Sequence, residues 1–130
     1  MTKGIFEYYK TQKGFYNFRL KASNKETIAV SGGTGYSSLT ACKAGIESVR
    51  KNSSSQIEDQ TLKNVTTLPN PKFELYQDKA NEFRYRLRAR NGEIICISEN
   101  GYASKDGCKK GIASLAKWSA DAEVVNVNKN

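Results

Sequence analysis

The chain has 130 residues, 38% of them hydrophobic and 26% charged, with a formal net charge of +8 and no histidine. That length supports one domain of ordinary size, or two very small units sharing a core, without help from disulfides or a metal. The missing histidine removes the usual neutral-pH general base and the commonest zinc ligand, and no apolar run approaches the ~20 residues of a membrane span.

The start, Met1-Thr2-Lys3-Gly4, lacks the apolar segment of a secretory signal, and Cys42, Cys96 and Cys108 are odd in number with no C-x-x-C pair. A reducing cytoplasmic location is the expectation, with no membrane contact. Residues 1–53 carry nine Lys/Arg against three Asp/Glu, and residues 71–120 carry ten against six. The positive charge therefore belongs to two blocks that read as folded, and attraction to polyanions follows from it.

In chain order, the first strand places Phe6 and Tyr8 on one face and Glu7 and Tyr9 on the other. The second alternates over eight residues, with Tyr16, Phe18, Leu20 and Ala22 inward and Asn17, Arg19, Lys21 and Ser23 outward. After a turn at Asn24-Lys25, a third strand is expected to bury Ile28 and Val30, because polar Thr27 and Ser31 flank them. Gly35-Tyr36 then leads into a helix capped by Ser38, with an apolar stripe Cys42, Ile46, Val49 and a mid-helix Gly45. A short strand near Ile57 closes the block.

The same order returns 67 residues later. Phe73-Glu74-Leu75-Tyr76 repeats Phe6-Glu7-Tyr8-Tyr9, and Phe83, Tyr85, Leu87 and Ala89 alternate with Arg84, Arg86, Arg88 and Arg90. Asn91-Gly92 reads as a type I′ hairpin turn, and Ile95 and Ile97 as the inward residues of the third strand. Beyond Gly32-Gly33-Thr34, where the first copy gains one residue, Gly101-Tyr102, Ser104, Cys108, Gly111 and Ile112 match with a spacing of 66. About 19 positions are identical between the copies, far above chance. Trp118 stands where the first copy has Asn52, and Val124, Val125 and Val127 form the trailing strand. The chain divides into a first repeat (1–53), a connector with both prolines and a short strand (54–70), and a second repeat with the C-terminal strand (71–130).

The combined blocks F-E-x-Y, F-R-Y-R-L-R-A-x-N-G-E-I-I, S-E-x-G-Y and S-x-x-x-C-x-x-G-I-x-S resemble the YegP-like family, small proteins that occur as single or tandem copies of one module. The resemblance covers both repeats, about three quarters of the chain. The second copy is the nearer match, since the first has Lys25 for the turn glycine and the Gly32-Gly33-Thr34 insertion. The resemblance implies an α+β fold: two β3-α-β modules in one continuous antiparallel sheet, helices on one face, C-terminal strands exchanged. Val124, Val125 and Val127 would then pair with the first module and the region of Ile57 with the second. It carries over no catalytic or binding residues.

Paired carboxylates, metal-ligand clusters, phosphate loops and dinucleotide fingerprints are absent from the sequence. Ser38 and Ser104 have no base beside them and read as helix caps, and Cys42 and Cys108 read as core residues. Cys96 is expected on the opposite strand face, as a more accessible thiol. The sequence thus points to a non-enzymatic interaction module needing no cofactor, monomeric or weakly dimeric, with an unidentified protein or polyanion partner. A second reading is nucleic-acid binding through an open sheet face bearing Tyr9, Arg19, Lys21, Tyr76, Arg84, Arg86, Arg88 and Arg90. Against it stands cross-strand pairing of those cations with Glu7, Glu74 and Glu93, which would leave a merely solvated face.

Overall fold

The structure is a computed structural model that describes residues 3–127. Eight strands form one sheet: β1 (Ile5–Lys10), β2 (Tyr16–Lys21), β3 (Thr27–Val30), β4 (Ile57–Asp59), β5 (Lys72–Gln77), β6 (Phe83–Arg88), β7 (Ile94–Ser98) and β8 (Glu123–Asn126). Their spatial order is β4-β5-β6-β7-β3-β2-β1-β8. The two repeats meet where β3 pairs antiparallel with β7, Val30 opposite Ile97. The trailing strands are exchanged: β8 pairs with β1, Val124 opposite Phe6, and β4 with β5, Ile57 opposite Phe73. These two outer pairs are parallel, so the sheet is antiparallel only in its six central strands.

Helices α1 (Leu39–Asn52) and α2 (Lys105–Ser119) begin at Ser38 and Ser104, whose hydroxyls accept from Ala41 N–H at 3.1 Å and Gly107 N–H at 3.0 Å. Cys42, Ile46 and Val49 of α1, and Cys108, Ile112 and Leu115 of α2, join Phe6, Phe18, Leu20, Phe73, Tyr85 and Leu87 in one core. Tyr85, fully buried, donates its hydroxyl to Ile28 O of the other repeat at 2.9 Å, which ties the halves together.

The third strand of each repeat departs from the expected register. Lys21 pairs with Thr27 but Leu20 pairs with Ala29, so Ile28 is an extra residue in a bulge; β7 repeats this at Ile95. A bulge reverses the parity of the residues beyond it. Ile28 and Ala29 are both buried, as are Ile95 and Cys96, while Val30 and Ile97 turn to the face away from the helices. Cys96 is therefore fully buried and not the accessible thiol expected. Burial pushes its pKa up to about 12, and those of Cys42 and Cys108 to about 11.

The hairpin turns also differ from expectation. Gly92 N–H donates to Ala89 O and Ala89 N–H to Glu93 O, a three-residue loop with only Gly92 at positive φ (87°). This is a type I turn followed by a left-handed residue, where a two-residue type I′ turn was expected. The first repeat makes the same loop with Lys25 at φ 73°, so losing the glycine leaves the turn unchanged.

Candidate functional site

The face opposite the helices carries an ordered cross-strand row. Reading across the sheet it runs Val125, Glu7, Arg19, Val30, Ile97, Arg86, Glu74, Glu58. The central six positions are a palindrome of acid, arginine, aliphatic, aliphatic, arginine, acid, centred on the β3–β7 junction. Direct cross-strand neighbours share a face, so the duplication itself builds this symmetry. Two residues from this row on their own strands, Tyr9, Lys72 and Arg88 line the same face toward one end of the strands, and Lys21, Tyr76 and Arg84 toward the other.

The arginines are tethered rather than loose. Arg19 Nε lies 2.7 Å from Glu7 Oε1, Arg86 Nε 2.5 Å and Arg88 Nε 2.7 Å from Glu74 Oε1, and Arg84 Nε 2.6 Å from Asp78 Oδ2. Lys21 approaches Glu7 at 3.3 Å. Arg19 also lies over the Tyr9 ring, 5.1 Å from its centroid, and Arg86 over Tyr76 at 4.5 Å. Burial would raise the pKa of Glu7, but hydrogen bonds from Arg19 and Lys21 outweigh it and hold the carboxyl below its ordinary value. For Glu74 the same contest is decided by Arg86 and Arg88.

Arg88 also donates through Nη1 to Gly92 O at 2.8 Å. The terminal nitrogens of Arg19, Arg84 and Arg86, by contrast, make no hydrogen bond to any described residue. Each guanidinium has five N–H donors, so each retains four beyond the one its tether uses. A shallow trough of about 570 Å³ lies against this face, with Val30 and Ile97 among its apolar residues and Arg19, Lys21, Arg84 and Asn17 among its polar ones.

At one end this face is closed. Glu58 and Lys72, both buried, pair at 2.7 Å, and Glu58 accepts further from Gln60 Nε2 and Leu68 N–H, each at 2.7 Å. Hydrogen bonds from Gln60, Lys72 and the Leu68 amide take the Glu58 carboxyl down to about 2. The connector thus folds back over β4 and β5. At the pseudo-equivalent positions Ile5 and Val125 stand instead, with no covering segment among the described residues.

Seven of the eight residues expected on this face reach it: Tyr9, Arg19, Lys21, Tyr76, Arg84, Arg86 and Arg88. Arg90 does not. It falls in the three-residue turn after β6 and lines a groove beside α1, on the helix side of the sheet. Glu93 makes no ion pair with the arginines; Asp78 and Glu58, which strand alternation did not single out, contribute to the ionic network instead. Among the described residues no group of three or more His, Cys, Asp or Glu is placed to hold a metal ion.

The profile of a domain of unknown function, DUF1508, matches residues 12–59 and 78–126, one match per repeat. The chain belongs to this family. The UPF0339 protein YegP of Yersinia pestis is 35% identical over 117 residues, covering 90% of this chain and 89% of that protein. A UPF0339 protein of Treponema denticola is 55% identical over 56 residues, which is 43% of this chain but 95% of the relative, so DUF1508 chains of one repeat exist beside the tandem form. The solution NMR structure of YegP from Escherichia coli, itself of unknown function, superposes with a TM-score of 0.79 at 30% identity, covering 100% of this chain and 98% of that one. The family shows the tandem α+β architecture and assigns no activity to it. No helix among the described residues is long and apolar enough to cross a membrane.

Proposed function

We propose that this chain is a non-catalytic binding module whose open sheet face takes the sugar-phosphate backbone of a single-stranded nucleic acid. One observation carries the reading. Arg19, Arg84 and Arg86 are fixed through Nε by carboxylates, yet their terminal N–H groups are unspent; Arg19 and Arg84 line the trough with Val30 and Ile97, and Arg86 stands beside Ile97 on the neighbouring strand. Anchored guanidinium groups lose little freedom on binding phosphate and match its geometry. Arg19 and Arg86 are three strand spacings apart, roughly 14 Å, so an extended strand lying across β2-β3-β7-β6 meets both. Unpaired bases stack on guanidinium planes and on tyrosine rings, and this face presents both.

The test is fluorescence anisotropy with a labelled oligothymidylate across a salt series. Binding should weaken with rising salt, and Arg19→Ala/Arg86→Ala should lower the log–log slope by about 1.4, two phosphate contacts at ~0.7 each. Lys109→Ala/Lys110→Ala, on the exposed surface of α2, serves as the control. No binding at ~50 mM salt, or an unchanged slope in the arginine variant, refutes the reading. A protein ligand is favoured instead by the near-neutralisation of this face by Glu7, Glu58, Glu74 and Asp78. That reading predicts capture of one protein species that survives nuclease treatment.

A further inference from the structure

The groove that Arg90 lines is a second, different surface. It holds about 870 Å³, bounded by Ala44, Ser48 and Asn52 of α1 on one side and by Pro71 and Ala89 on the other. The pseudo-symmetry of the repeats says what such a groove accommodates. The equivalent of Asn52 is Trp118, which is half-buried and packs against the common core, and the equivalents of Pro71 and Ala89 are Gly4 and Ala22. At Gly4 an added Cβ would run into the Trp118 carbonyl oxygen and lie 3.0 Å from Trp118 Cβ, so there the end of α2 closes tightly on the sheet. Where α1 meets the second repeat that closure is missing. Pro71 puts a ring where Gly4 has only hydrogen, and Asn52 turns back on its own helix, donating to Ser48 O at 2.9 Å. The open groove thus coincides with the helix position that carries an aromatic residue packed on the core in one copy and an asparagine in the other.

We infer that this groove is a docking site for an aromatic side chain of a partner protein, presented on an acidic peptide segment. The ring is specified by the Trp118 counterpart, and the charge by the rim. Lys51 and Arg90 are exposed there and form no ion pair with a described residue, while Glu47, the one acid of the rim, is engaged by Arg50 at 3.0 Å. An indole entering between α1 and the β6–β7 turn takes up apolar surface of Ala44, Pro71 and Ala89, and carboxylates beside it meet the two free cations.

The experiment is a ¹⁵N–¹H titration of the full chain with the probe peptide acetyl-Asp-Trp-Asp-amide, alongside acetyl-Asp-Ala-Asp-amide. Saturable shifts are expected at Ala44, Ser48, Ala89 and Arg90 with the tryptophan peptide only. Asn52→Trp, which supplies the missing ring from within, should weaken binding about tenfold while keeping a dispersed spectrum, and Lys51→Ala/Arg90→Ala should weaken it about threefold. Trp118→Asn should open a second groove, reported by shifts at Ala22 and Ser114. The inference is overturned if the alanine peptide binds equally, if shifts fall around Arg19 and Arg86 instead, if Asn52→Trp binds as tightly as the parent, or if nothing saturates by about 5 mM.

Discussion

Gly45 and Gly111 are the test of how closely the helices are held to the sheet. Glycine inside a helix costs about 1 kcal/mol relative to alanine, so Gly45→Ala should stabilise the protein if the space is open. It is not open. A Cβ built on Gly45 runs into Tyr36 Oη and lies 2.6 Å from Tyr36 Cζ, where ordinary contact begins at 3.4 Å. The ring cannot swing away freely. It stacks on Phe18 with centroids 6.2 Å apart, and its backbone is bridged to Tyr16. Displacing a packed ring costs roughly 1–3 kcal/mol, so the propensity gain is outweighed and Gly45→Ala should destabilise by about 1 kcal/mol. In a Tyr36→Ala background the obstruction is gone, and the same substitution should stabilise by about 1 kcal/mol, a coupling of about 2 kcal/mol. Gly111 and Tyr102 repeat the arrangement, with Tyr102 Cζ 2.6 Å from the built Cβ, and supply an independent second cycle. Urea unfolding followed by far-UV circular dichroism gives all the values. If Gly45→Ala has the same sign with and without Tyr36, and Gly111→Ala with and without Tyr102, the close approach is not what keeps these glycines.

Glu58→Gln leaves Lys72 buried with only Glu74 near it, at 3.6 Å, and should cost about 3 kcal/mol in urea unfolding; Glu58→Gln/Lys72→Met should recover most of that. Glu7, Glu58 and Glu74 all have folded pKa values below 4.5, so the stability they supply is complete above that value and is lost as the pH falls through it toward about 2 for Glu58. Melting temperatures should hold from pH 7 to about 5 and then fall, with a shallower fall in Glu58→Gln. Native protein at pH 8 should give no thiol reaction with Ellman's reagent and three equivalents once denatured, because all three cysteines are buried with raised pKa values; rapid labelling of Cys96 alone would contradict its placement in the core.

The repeat made most of the fold legible. Two aligned copies gave the strand–helix order and the serine caps, because each signal appeared twice; the partners of the exchanged strands followed from the resemblance to the YegP-like family, not from the spacing. What stayed hidden were shifts of one residue. Thr27 and Ser31 suggested a simple alternation, but the bulge at Ile28 reverses parity between them, and neither glycine nor proline marks it. Cys96 and Val30 consequently exchanged faces with their expected neighbours. Arg90 was lost for a related reason: alternation was carried past Arg88 into a loop of three residues instead of two. The ionic partners Asp78 and Glu58 lie in a hairpin loop and in a three-residue strand, segments too short for any period to place a side chain.

The central row also ties the proposed binding face to the duplication. Val30 pairs with Ile97 at the seam where the repeats' three-stranded sheets meet, so each copy supplies one of these two aliphatic residues of the trough. Carrying both repeats in one chain makes this pairing intramolecular. Fusion then frees the two copies to differ. They have kept the acid–arginine–aliphatic order at the seam and diverged at the periphery, where Glu58 and Lys72 replace Val125 and Ile5 and where Asn52 replaces Trp118. A symmetric centre suits a ligand that does not distinguish the halves, such as a repeating phosphate backbone. An asymmetric periphery suits a partner that binds once per chain, which is what the open groove beside α1 provides.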